Sequence, residues 1–154
     1  MKKLFSVGLL AIVPLLLTAC GGSKPSAEIK SVEYVDSINA SGVSYSFEDM
    51  DIIKIVFDFK FNESIVSGID SSGDDYRQDL FIMLAEGAHF HFDDQEIEHE
   101  YGYWPQDTGS DYAKEMTLFY VVPSGHAVES LRFVYDGTVL GEGASGIDTQ
   151  IDPE

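Results

Sequence analysis

The chain has 154 residues, of which 27 are acidic and 9 basic, and its formal net charge is −18 at pH 7. A field of that sign repels phosphate backbones and argues against a nucleic-acid partner, while it attracts cations and basic proteins and keeps a domain soluble. Hydrophobic residues make up 44% of the chain and aromatics 12%, so the acidity does not signal a disordered chain, and the length suits one domain around one core.

The N-terminus reads as a leader. Lys2 and Lys3 precede an apolar run over residues 4–18, interrupted by Gly8 and Pro14. That is the pattern of a secretory h-region, and it falls short of the roughly 20 apolar residues of a membrane-spanning helix. The run closes on Leu17-Thr18-Ala19-Cys20. This sequence resembles the lipobox of bacterial lipoproteins, with Leu three positions before Cys and small residues between. The resemblance implies cleavage after residue 19 and a diacylglycerol thioether on Cys20, which anchors the protein to a membrane. It further implies an extracytoplasmic setting: the outer membrane in a Gram-negative cell, the outer face of the plasma membrane in a Gram-positive one. Cys20 is the chain's single cysteine, so no intramolecular disulfide forms. Lys2 and Lys3 are the leader's only charges, and its removal takes the formal charge from −18 to −20. Residues 20–27 (CGGSKPSA) read as a flexible tether, and residues 28–154 as the folded domain.

Along the mature chain, period-two patterning predicts strands. Residues 27–35 (AEIKSVEYV) and 43–47 (VSYSF) are the first two. Residues 52–61 (IIKIVFDFKF) follow, with Ile53, Ile55, Phe57, Phe59 and Phe61 on one face and Lys54, Asp58 and Lys60 on the other. Residues 79–85 (DLFIMLA), 89–92 (HFHF), 113–122 (AKEMTLFYVV) and 130–135 (SLRFVY) complete the set, and Asp136-Gly137 before Thr-Val-Leu is a hairpin signal. No helical spacing stands out. Short strands between Gly, Asp and Ser clusters predict an all-β, antiparallel β-sandwich of about seven to eight strands. The order FDFKFN, LAEG, MTLFYVVPSG and LRFVYDG over residues 28–140 resembles the uncharacterised immunoglobulin-like domains of bacterial lipoproteins, also seen in small secreted mycobacterial immunogenic proteins. Gly109-Ser-Asp stands where that family has Pro-Gly. The resemblance implies an immunoglobulin-like sandwich and carries no catalytic residues.

Four stretches hold candidate chemistry. On a strand, His89, His91 and Asp93 share one face while Phe90 and Phe92 take the other; with His99 beyond a turn, these donors suit Zn²⁺ or Cu²⁺. The competing reading buries the phenylalanines and leaves the rings in water. Asp70, Asp74 and Asp75 frame an acidic loop with oxygen donors for Ca²⁺, although Gly73 breaks the EF-hand order. Gly141-Glu-Gly-Ala-Ser-Gly146 matches G-x-G-x-x-G, but too little chain follows to build the helix that holds phosphates. Tyr101, Tyr103 and Trp104 (YGYWP) are candidate contacts for an envelope protein or glycan. No Ser-His-Asp arrangement, nucleophile elbow or H-E-x-x-H motif appears, and residues 148–152 read as a free acidic tail. The expectation is therefore a non-enzymatic, lipid-anchored binding module, with a metal-binding lipoprotein as the alternative.

Overall fold

A computed structural model describes residues 24–70 and 74–154; the leader and Cys20 lie outside these. The chain enters through β1 (Ser26–Val35), a short hairpin of β2 (Ile38–Ala40) and β3 (Val43–Tyr45), and the long β4 (Met50–Lys60). One α-helix, α1 (Asp74–Ala85), leads to β5 (Ala88–Phe92), β6 (Gln95–Ile97), β7 (Tyr101–Tyr103) and β8 (Asp107–Thr108). The long β9 (Tyr112–Pro123) follows, then β10 (Leu131–Tyr135) and β11 (Ile147–Gln150). The main strands form two antiparallel sheets, one ordered β1-β4-β9-β7 with β8 also on β9, the other β11-β10-β5-β6. The first strand starts at Ser26, ahead of the expected boundary at 28. Pro25 is already buried, and its carbonyl accepts the Ser145 amide at 3.1 Å.

Alternation along β4 and β9 supplies the core. Ile53, Ile55, Phe57 and Phe59 meet Met116, Leu118, Tyr120 and Val122 on one face, and all are buried. From the second sheet Phe90, Leu131, Phe133 and Tyr135 join the same apolar cluster. Ring pairs cross between the sheets: Phe57–Phe133 at 5.2 Å, Phe59–Tyr135 at 5.2 Å and Phe90–Tyr120, stacked at 4.4 Å.

Where β9 passes β4, the register slips between Phe57 and Phe59. The inserted Glu115 takes φ 56°, and its amide donates to Asp58 Oδ1 at 3.0 Å. The carboxylate thereby replaces the ladder partner that the bulge removes.

Three expectations are corrected. Residues 79–85 are not a strand but the second half of α1. The continuous run Leu80-Phe-Ile-Met-Leu84 hides a helical face that starts earlier, at Tyr76. Tyr76, Leu80 and Leu84 recur at i, i+4 and i+8, and all three are buried in the core. Two hydroxyls fasten the helix: Tyr76 donates to the Gly109 carbonyl at 3.0 Å, and Tyr135 donates to the Leu84 carbonyl at 2.9 Å. Asp136-Gly137 does not turn a two-residue hairpin. Asp136 Oδ1 instead caps a 3₁₀ turn over Gly137–Leu140, accepting from the Thr138 amide and hydroxyl at 2.9 and 2.7 Å, and β11 pairs with β10 only from Ile147.

The acidic tail is not free either. Asp148 takes a two-pronged bond from Arg132 at 2.8 and 2.7 Å, and Ile151 is buried. Glu154 exchanges backbone bonds with Val32 and Tyr34 on β1, both 3.2 Å. The hydrophobicity of Ile147 and Ile151 outweighs the charge of Asp148 and Asp152, which point outward. As expected, the G-x-G-x-x-G stretch precedes a strand, not a helix.

The Tyr120 hydroxyl is buried and has no hydrogen-bond partner among the described residues, and burial pushes its ionisation far up. A buried hydroxyl without a partner is a net cost. Tyr120→Phe is expected to leave stability unchanged or raise it by about 1 kcal/mol, read as the urea midpoint at constant m-value; a loss above that size refutes the assignment.

Candidate functional site

The outer face of the first sheet carries a second, smaller apolar cluster. The β2–β3 hairpin turns on Ser41 (φ 51°) and Gly42 (φ 81°), the left-handed pair of a type I′ turn. It lays Ile38 on Ile52 and Phe119, flanked by Val35, Phe47, Tyr103 and Val121. β7 pairs with β9 at the end of the sheet, setting Tyr101 opposite Phe119, Gly102 opposite Leu118 and Tyr103 opposite Thr117. Gly102 faces inward against Phe81 of α1, so close that a Cβ would come within 2.4 Å of the ring. Its neighbours therefore face outward.

Tyr103 packs edge-on against Phe119 at 5.2 Å and Tyr101 edge-on against Tyr103 at 5.7 Å. The Tyr103 hydroxyl donates to the Asn39 carbonyl of the hairpin. A file of three rings thus runs from the small core out to solvent, each fixed by the one beneath.

Two hollows flank that file. One, of about 250 Å³, is lined by Ile38, Ala40, Tyr45, Phe47, Glu100 and Tyr101. The other, of about 260 Å³, lies among Arg77, Tyr101, Gly102, Tyr103, Trp104 and Gln106. The Arg77 guanidinium in it is spent on the carbonyls of Pro105 and Gln106, at 2.9 and 3.0 Å. Tyr45 is 50% exposed, Tyr101 37% and Trp104 40%, more than most large apolar side chains among the described residues. The structure brings the three sequence candidates Tyr101, Tyr103 and Trp104 together and adds Tyr45, Phe47 and Glu100. Tyr45 and Phe47 were missed because the hairpin that carries them across the sheet turns on Ser-Gly, a weak signal; the i, i+2, i+4 series Val43, Tyr45, Phe47 is the trace they leave.

Two of the candidate histidines lie on the second sheet. His89 and His91 stand on the outer face of β5, opposite Val134 and Arg132. His89 Nδ1 is 2.6 Å from Glu96 Oε1 on β6. That hydrogen bond, with the charges of His89 and His91, holds the Glu96 carboxyl below the usual carboxylate range. Asp93 and Asp94, with φ 48° and 63°, form the β5–β6 turn. His99 stands apart from the pair, half-buried with its ring edge-on to Phe81 and Tyr120, and burial depresses its basicity. Of the calcium candidates Asp70, Asp74 and Asp75, the first is separated from the other two by residues 71–73, which lie outside the described residues. Asp74 and Asp75 belong to the first turn of α1 and not to a loop, and the Asp75 carboxylate suits the helix's positive end. Among the described residues no group of three His, Cys, Asp or Glu side chains gathers to hold a metal.

The fourth histidine went unnoticed in the sequence. The His126 side chain is 3% exposed. Its Nδ1 donates to the Pro123 carbonyl at 2.8 Å, which leaves Nε2 to accept from the Tyr34 hydroxyl at 3.0 Å. Asp51 Oδ2 lies 3.6 Å from Nδ1, and Asp51 Oδ1 accepts from Ser124 at 2.9 Å. The partners come from β1, β4, the last residue of β9 and the loop after it, so only the fold assembles them. Ser124 donates to Asp51 and not to the imidazole, and His126 ties the end of β9 to β1.

Compared with known proteins, the chain matches no family model, no curated protein and no solved structure.

Two measurements check these contacts. Tyr34→Phe removes a hydroxyl from a mostly buried acceptor and is expected to cost about 1 kcal/mol, with a coupling to His126→Ala in a double-mutant cycle. In an NMR titration, His89→Ala should return the Glu96 carboxyl upward to the ordinary range. Because the folded value is the depressed one, this pair stabilises the protein above the ordinary glutamate value, and the contribution disappears as pH falls through the folded value.

Proposed function

We propose that this chain is a lipid-anchored extracytoplasmic protein whose immunoglobulin-like domain binds another component of the cell envelope or its surroundings, without catalysing a reaction. Support for the anchor is the lysine-led apolar leader closing on Leu17-Thr18-Ala19-Cys20. Support for the fold reading is the strand order. β1-β4-β9-β7 follows the A-B-E-D order of the immunoglobulin sandwich, and β11-β10-β5-β6 follows G-F-C with an added C′ strand. On this reading Phe57 and Phe133 sit on strands B and F, which immunoglobulin domains join by a disulfide, and a ring pair spans the same gap.

The observation that carries the binding reading is the aromatic face. Tyr45, Tyr101 and Trp104 stay substantially exposed while the packing beneath holds Tyr101 in position. Rigid rings with a polar end give contact area at low entropic cost, the property of binding hot spots.

The test is made in a bacterial host on the full chain. Labelling with an alkyne fatty acid should mark the wild type and place it in the membrane fraction, and Cys20→Ser should abolish the mark. A photo-crosslinking residue in place of Trp104 should yield an envelope adduct, and one in place of Asp148, on the other sheet, should not. An unlabelled wild type refutes the anchor; equal adducts at both positions, or none, refute the binding face.

A further inference from the structure

Resting on the reading of the aromatic face as a binding surface, we infer that the hollow between the β2–β3 hairpin and β7 receives an arginine or lysine side chain of a partner polypeptide. Its walls are of two kinds. Tyr45, Phe47 and Tyr101 provide rings, and Ile38 and Ala40 an apolar floor. Among the described residues Glu100 is the only charged one in the lining, and it is exposed. Ring faces carry negative charge density and attract a cation within about 6 Å of their centres. A carboxylate at the rim accepts its hydrogen bonds. The apolar floor suits the methylene stem of a long basic side chain and offers nothing to a sugar's hydroxyls.

The wider field agrees in sign, with 27 acidic residues against 9 basic and Glu98 also exposed beside Glu100. Such a field draws basic chains in and speeds their arrival. Among the described residues no lysine or arginine lines the hollow. A larger hollow, about 430 Å³ around Asp93, Asp94, Glu129 and Arg132, lacks rings, and its arginine is already bonded to Asp148. It has charge without the apolar seat.

The experiment uses the full lipidated chain in detergent micelles and follows the ring resonances of Tyr45 and Tyr101 by NMR. The probes are blocked seven-residue peptides alternating serine with arginine, with lysine or with glutamate, together with choline and a neutral chito-oligosaccharide. The arginine and lysine peptides should shift both rings and the glutamate peptide neither, with affinity falling as salt rises. Tyr45→Ala/Tyr101→Ala should weaken binding about tenfold, Tyr45→Phe/Tyr101→Phe should keep it, and Glu100→Gln should weaken it without changing thermal stability.

If the double alanine variant binds as tightly as wild type, the peptides are held by the acidic surface at large and the inference fails. It fails equally if choline or the oligosaccharide binds in place of the basic peptides, or if no probe shifts the rings. In each of these cases the crosslink at Trp104 independently decides whether the face binds at all.

Discussion

Three ring pairs span the space between the two sheets, and the remaining architecture hangs on them. Phe57 meets Phe133, Phe59 meets Tyr135, and Phe90 lies flat on Tyr120. The sole cysteine is Cys20, ahead of the first strand, so no covalent bridge ties one sheet to the other. Buried ring surface has to do that work, each large side chain removing on the order of 150–250 Å² from water. Once the sheets are set, Tyr135 reaches the last turn of α1 and Tyr76 the loop before β9. The helix then presses Phe81 against Gly102, and that contact decides which way Tyr101 and Tyr103 point. The outward aromatic face is thus a consequence of the inward one.

Much of this order was legible, for physical reasons. Long strands with one buried face announce themselves by alternation, as β4 and β9 do. β1, β5 and β10 were read near their actual limits for the same reason. The helix was missed because Leu80, Phe81, Ile82, Met83 and Leu84 are all apolar, and a run without gaps has no visible period. Ile82 in fact points to solvent. The tail was misread because charge was weighed above two isoleucines. Of the candidate site, the residues adjacent in sequence were found. Those delivered by a hairpin crossing the sheet, Tyr45 and Phe47, were not, and neither was the Tyr34–His126 tie, whose members lie 92 positions apart.

The acidity is organised by the fold and is more than a uniform coat. Asp58 and Asp136 each repair a backbone irregularity by accepting an amide. Asp93 and Asp94 occupy left-handed turn positions that their short polar side chains tolerate. Asp148 and Glu96 pair with Arg132 and His89 across strands. Carboxylates spent in this way contribute to the structure, and those left over, Glu98 and Glu100 among them, set the potential around the aromatic face.

Strand geometry also separates the two ends of the first sheet. β1 enters at Ser26 opposite Lys60 and runs ten residues to Val35 before the hairpin begins. At about 3.3 Å per residue this is a span of about 30 Å. Tyr101 sits level with Phe119, Lys54 and Glu33, toward the far end of that span. A leash fastened ahead of Ser26 would therefore hold the domain by the end of the sheet remote from the rings, so that the length of β1 adds to that of the linker in setting how far out they reach.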